Sequence, residues 1–436
     1  MKTSKESISK DLVVVGGGLA GCFSAIAAKR ISPDSTVILL ERYGFLGGMA
    51  TAGYVFPFMR YHTRMKNGTT KRLVGGLFQE FTDIMANNGY MVTKHVRNGF
   101  YSRFEPEMAK CILDRMILDA GVELLFHGLV NQVDVRGCGE VQKEIKTLTV
   151  QTKAGPLAIG VKLVIDATGD ADVIYHSGGA WEMGRKTDGL VQPATLNFRM
   201  GRVGPIKPTR HHITKKIKME KQKGNPLTPR DDCLMFTAGK NRFHFNQTRV
   251  AGYDFTDPFQ MTDAELEGRK QAKRFIDFLQ SKIFGFKKRS TVVGIGSQLG
   301  IRESRRIIGD YKLTEEDLMD CVQFNDRIAL GNYPVDIHDP KGTARTDIRR
   351  IPNGKWYSIP WRALLPKGMK NVIVAGRPIS TTHEAHSAIR VMPICSAIGH
   401  AAGIGMGLAL KKNLDPRDVD VSHIQEQLKK QGAILE

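Results

Sequence analysis

The stretch from Asp11 to Glu41, DLVVVGGGLAGCFSAIAAKRISPDSTVILLE, constrains the fold more than any other. Asp11 to Val15 reads as a buried strand. It runs into Gly16-Gly17-Gly18-Leu19-Ala20-Gly21, which fits G-x-G-x-x-G. An alanine-rich helix is expected from Leu19 to about Lys29, then a strand over Thr36–Leu40 that ends in an acid, Glu41. Each glycine has its own physical reason: Gly16 allows the sharp turn, Gly18 leaves room for a pyrophosphate, and Gly21 lets the helix lie close on the strand. The helix start offers free N–H groups and a positive dipole end to phosphate. Glu41 suits a ribose diol. The competing reading is a glycine turn in some other α/β protein. Strand, turn, helix, strand and acid in this order weigh against it and predict a dinucleotide site.

A chain of 436 residues implies two domains or three. Lys and Arg number 64 against 44 Asp and Glu, a formal charge of +20. Such an excess attracts anions, from acidic metabolites to nucleic acid, but speaks of encounter rather than of a site. Six scattered cysteines without a C-x-x-C pair argue against a zinc or iron–sulfur site and against a disulfide framework. The start, MKTSKESISK, has no apolar signal core, and no run approaches the roughly 18 apolar residues of a membrane span. A cytoplasmic protein without a bound metal is the expectation.

Further along, YGFLGGMAT (Tyr43–Thr51) brings a second glycine pair. Glu105-Pro106-Glu107 opens a helix with Met108, Ile112 and Met116 on one face, capped near Gly121. Val122–Phe126 reads as a strand, Leu129–Gly160 as a small antiparallel meander, and Lys162–Ala167 as a separate buried strand. From Trp181 to Gly354 the texture is mixed. Strands are expected at Pro193–Met200, Cys233–Thr237 and Arg242–Gln247, with a helix from Asp263 to about Phe284. Residues 207–223 form a basic patch without aromatics, read as a solvated loop or helix or, more sharply, as an arm for a polyanion. Asn371–Ala375 is a short strand, and Pro393 to about Lys411 a helix rich in small residues.

These parts resemble the FAD-dependent oxidoreductases of the glutathione-reductase-type superfamily, and more closely the bacterial xanthan-lyase-like members. The resemblance rests on VVVGGGLAG, ERYGFLGGMAT, DATGDADV, GIRESRRIIGDYKLT, YPVDIHDP, YSIPWRALLPKG and VAGRPIS…RVMPICSAIGHAAG. It implies an α/β fold: a three-layer, Rossmann-like FAD-binding domain, its central parallel sheet joined by a β-meander, with an inserted mixed α+β substrate domain. The expected division is 8–60, 100–180 and 356–436 for FAD, and 61–99 with 181–355 for substrate. The resemblance also places Gly16, Gly18 and Gly21 at the pyrophosphate and Glu41, with Arg42, at the adenosine ribose. Gly47, Gly48 and Met49 would pass near the ribityl chain and flavin, and Val130 near adenine. Thr168 and Gly169 would close the site, and Gly376-Arg377 would approach the ribityl end. Met392 and Pro393 would open a helix aimed at the flavin, where a helix N-terminus stabilises the charge of the reduced ring. Many relatives read glutamine at the position of His400, and no second G-x-G-x-x-G offers a site for NAD(P)H.

The implied activity is FAD-dependent hydride transfer with a small or oligomeric substrate that is hydroxylated or anionic. Candidate proton acceptors are His383 and His386, whose competing role is structural. Arg302 and Arg390 complete the catalytic candidates: the RESRR arginines Arg302, Arg305 and Arg306 suit a substrate carboxylate or phosphate but also read as an internal ion-pair network, and Arg390 is a candidate contact of flavin or substrate. Tyr333, Asp336 and His338 are read as loop structure. The rival function is an FAD-dependent tRNA-modifying or RNA-binding flavoprotein using the 207–223 patch. No nucleic-acid partner is expected, and self-association is left open.

Overall fold

The computed structural model describes residues 8–96, 99–137, 142–204, 208–287, 289–342 and 346–436. Strand β1 (Ile8–Val15), helix α1 (Leu19–Ile31) and strand β2 (Val37–Glu41) form the expected opening unit. Every residue of β2 is buried, as is the valine run of β1. A strand buried on both faces needs such continuous apolar character.

β1 lies inside a seven-stranded sheet. On one side it pairs in parallel with β2, Leu12 opposite Val37, and β2 pairs in parallel with Glu123–Phe126. On the other side it pairs in parallel with Gly155–Asp166, Val13 opposite Val164. That strand corrects the expectation of a separate Lys162–Ala167 element. It is one run of 12 residues, and it serves two partnerships. Its first half pairs antiparallel with Glu144–Thr152, which pairs with Leu129–Arg136 to make the meander. Its last residues pair in parallel with Val372–Val374. The parallel sheet and the meander are therefore continuous.

The helix Pro106–Asp119 starts at the expected proline, but it buries Ala109, Leu113, Met116 and Ile117. Met108 and Ile112 lie at the edge of that face, half-buried.

A second hydrophobic core is confined to residues between Val191 and Ile301. A four-stranded antiparallel sheet, ordered Met235–Gly239, Arg242–Phe245, Phe198–Gly201, Thr291–Ile295, packs there beneath the helix Pro258–Lys282. Asp257 caps that helix by accepting the N–H groups of Phe259 and Gln260, and Pro258 follows it, so the helix begins earlier than expected. Phe275 meets Phe198 and Phe245 across the interface, with ring centroids 6.3 and 5.8 Å apart. The expected strand Pro193–Met200 is mostly irregular and becomes regular only at Phe198. By packing, this inserted unit is narrower than 61–99 with 181–355. Phe78 and Phe81, and later Ile307, Leu318, Ile328 and Val335, belong to the first core.

The small-residue helix spans Met392–Lys412 and lies against α1. Gly399 and Gly403, one turn apart, face it. A Cβ on them would sit 2.2 Å from the Ala20 carbonyl oxygen and 2.1 Å from that of Ser24. Ser24 Oγ also donates to the Gly399 carbonyl at 2.9 Å. This helix is long and apolar enough to cross a membrane, but most of it is buried inside the protein.

Candidate active site

A cavity of about 740 Å³ opens where the C-terminal ends of the parallel strands meet the second core. Its wall near the sheet is the glycine turn. Gly16 takes φ +104°, a left-handed conformation that favours glycine. A Cβ on Gly21 would lie 1.8 Å from the Gly16 carbonyl oxygen, so Gly21 is what lets α1 close down on the turn. Gly21 itself does not line the cavity. At Gly18, by contrast, an added Cβ meets nothing nearer than Gly48 Cα at 4.0 Å. The space beside Gly18 is the cavity.

Glu41 lies buried in the same wall. The Gly17 N–H donates to its Oε2 at 2.7 Å and the Tyr43 N–H to its Oε1 at 2.9 Å. Burial pushes its pKa upward against these two hydrogen bonds. Arg42, Gly47, Gly48 and Met49 continue the wall, and the Gly47 N–H donates to the Gly17 carbonyl at 2.8 Å, joining the two glycine loops. Thr168, Gly169, Gly376, Arg377 and Met392 complete it. Arg377 is largely consumed by protein contacts: Nε donates to the Gly169 carbonyl at 2.7 Å, and the other nitrogens hold Asp170 and the Ile301 carbonyl. Val130 is paired with Val150 within the meander and is not among the residues lining the cavity.

The two expected histidines also lie outside the wall. Thr382 caps a short helix, His383–Ile389, that turns both inward. His383 Nδ1 is 2.9 Å from Glu303 Oε1. The same carboxylate is fully buried, accepts the Gln192 N–H and pairs with Arg306. His386 is fully buried with no hydrogen-bond partner at either ring nitrogen. Burial and the charge of Arg306 hold its pKa well below the usual imidazole range. These positions fit the competing, structural role. Nothing in the sequence marked the short helix that buries them.

The opposite wall holds a polar group that sequence reasoning had assigned to loop structure. Tyr333, Asp336 and His338 all line the cavity. The Tyr333 hydroxyl donates to Asp336 Oδ2 at 2.9 Å, and His338 Nε2 stands 3.6 Å from the same oxygen. Burial, then the charge of Arg302, brings the His338 pKa down to about 3. His338 is thus neutral at pH 7. The ionised Asp336 beside Nε2 favours the tautomer with its proton there and leaves Nδ1 as the acceptor, with Thr346 Oγ1 at 3.4 Å from it. Arg302 and Arg390 also line this wall. The other arginines of RESRR are internal: Arg305 pairs with Asp172 at 2.9 Å and Arg306 with Glu303. The basic patch is largely a helix, Arg210–Gln222; residue 207 lies outside the described residues. His211 and His212 are exposed, but Thr214 and Lys218 reach the cavity.

The family model for FAD dependent oxidoreductases matches residues 11–428, nearly the whole chain. The chain belongs to that family. This oxidoreductase is an FAD enzyme, and its glycine-lined wall fits the cofactor: a Cβ at Gly18 would enter the space that a pyrophosphate needs. No curated protein matches it. Among solved structures it is similar to a geranylgeranyl bacteriochlorophyll reductase-like protein from Thermoplasma acidophilum. The identity is 13%, with 97% of this chain and 83% of the other covered and a TM-score of 0.47. It is also similar to the p-nitrophenol 4-monooxygenase PnpA from Pseudomonas putida, at 11% identity over 97% and 84% of the two chains, with a TM-score of 0.45.

Proposed function

We propose that this flavoenzyme transfers hydride between FAD and a hydroxylated or anionic small molecule, with His338 accepting the proton. One observation supports this most: a single cavity joins the glycine wall to the Arg302–Asp336–His338 wall. The backbone at Gly16 and Gly18 and the start of α1 would hold the pyrophosphate, and Glu41 the adenosine ribose. Gly47–Met49, Gly376 and Met392 would flank the rest. When bound, FAD supplies a two-electron acceptor.

The protein's own part is positional and acid–base. Tyr333 and Asp336 orient the imidazole of His338. Its Nδ1 takes the hydroxyl proton as the adjoining C–H bond gives up hydride and a carbonyl forms. Burial and Arg302 keep the imidazole neutral but make it a weak base, and an anionic substrate in the cavity would raise its pKa.

The test is anaerobic mixing of the FAD-loaded enzyme with a panel of hydroxylated carboxylates, following loss of oxidised-flavin absorbance. His338→Ala should slow flavin reduction ~10²–10⁴-fold, the usual range for a lost general base, while FAD content is unchanged. Equal rates in the variant would remove His338 from the mechanism.

A further inference from the structure

The wall opposite the glycine turn carries more positive charge than the protein neutralises. The Arg302 Nη1 donates to the Pro193 carbonyl and to Thr195 Oγ1, both at 2.7 Å, and Nη2 reaches Asn246 Oδ1 only at 3.4 Å. Arg390 Nη2 contacts Gln192 Oε1 at 3.3 Å and the Asp336 carbonyl at 3.2 Å, and its buried Nε has no hydrogen-bond partner. All these partners are neutral. Among the described residues, neither guanidinium has a carboxylate within ion-pair distance.

The two cations repel each other, and Asp336 is the carboxylate nearest in effect. Burial and Arg390 bring the Arg302 pKa down to about 9. Arg230, also in the wall, is already paired with Asp232 at 3.0 Å. His338 is neutral at pH 7. Among these three groups the two guanidiniums outnumber the Asp336 carboxylate, and Arg249 and Lys218 line the same cavity. An arginine nitrogen fork matches a carboxylate in geometry.

We infer that Arg302 and Arg390 form a carboxylate subsite, so that the substrate is a small hydroxycarboxylate whose hydroxyl lies at His338. The choice of a hydroxyl partner rests on the hydride-transfer function proposed for the same cavity; the carboxylate subsite stands on its own geometry.

Binding without turnover tests it. The FAD-loaded protein is titrated with acetate, lactate, inorganic sulfate and inorganic phosphate at constant ionic strength, reading the flavin difference spectrum and the melting temperature. Saturable binding of acetate and lactate, tighter than that of sulfate or phosphate, is expected. Arg390→Gln and Arg302→Gln should weaken it at least 10-fold with FAD content unchanged. Arg302→Lys, which keeps the charge but loses the fork, should weaken it less than Arg302→Gln. Arg302 also holds the 193–195 backbone, so if Arg302→Gln does not fold, the Arg390→Gln titration alone decides. No saturable binding, equal binding in the variants, or a preference for sulfate or phosphate would each overturn the subsite. A colourless protein that still shows the melting shift would refute the cofactor placement instead. Carboxylate binding without flavin reduction by any hydroxycarboxylate would refute only the hydroxyl assignment.

Discussion

Gly18 and His400 show how far a single side chain can be argued. Gly18→Val puts a branched side chain into open cavity and touches almost no protein, since the nearest atom to a new Cβ is 4.0 Å away. The variant should fold normally by circular dichroism and purify without FAD; a yellow variant would mean the pyrophosphate lies elsewhere. His400 is 1% exposed, with Nε2 3.0 Å from Gln431 Oε1. Burial brings its pKa down to about 4. The sign follows from linkage. Between the ordinary imidazole value near 6.5 and about 4, the unfolded chain binds a proton that the folded chain refuses. Stability is therefore lost as pH falls through that window. At about 1.4 kcal/mol per pKa unit, the loss is on the order of 3 kcal/mol by pH 4. His400→Gln removes the titration, so the drop in melting temperature between pH 7 and pH 4.5 should shrink. An undiminished drop would place the acid sensitivity in other buried histidines. The residues best read from sequence were those whose role is backbone shape. Gly16, Gly18 and Gly21 need no tertiary knowledge. His338 does, because it becomes a wall residue only when its loop folds beside Arg302.

Among the elements, the pairing of α1 with Met392–Lys412 gives the sharpest conflict between local and tertiary preference. Helix propensity alone says that Gly403→Ala stabilises, by up to about 1 kcal/mol. The packing says the reverse, because the new Cβ would sit 2.1 Å from the Ser24 carbonyl oxygen on a neighbouring backbone. Overpacking of this kind costs roughly 1–3 kcal/mol, so the net effect should be destabilising. Chemical denaturation decides the sign, and a more stable Gly403→Ala would show that the two helices can move apart freely. Sequence periodicity located this helix, the opening β–α–β unit and the Pro106 helix to within a few residues. It divided Gly155–Asp166 wrongly because a strand that changes partners midway also changes its pattern: half-buried in the meander, fully buried in the parallel sheet. It missed His383–Ile389 because seven residues are too few to show a helical period.

For the molecule as a whole, a charge of +20 invites a nucleic-acid reading. The structure spreads that charge. Part of it lines the cavity through Arg230, Arg249, Arg302 and Arg390, and the helix Arg210–Gln222 turns Lys218 toward the same space. Binding of tRNA should therefore be weak and fall steeply with salt, as expected of screened phosphate contacts. A gel shift showing salt-resistant, submicromolar binding would promote the RNA-modifying reading. The cavity wall draws on positions from Gly16 to Cys395 and on both hydrophobic cores. No fragment shorter than Gly16–Cys395 contains all of these lining residues, so the site arises only when both cores have folded. A ligand held there acts as a clamp between two bodies. At a free concentration 100 times its dissociation constant it adds about 2.7 kcal/mol to the folded state. The amount of this protein in a cell should then follow the supply of flavin: starved of it, newly made chains lose that clamp and become better substrates for proteolysis.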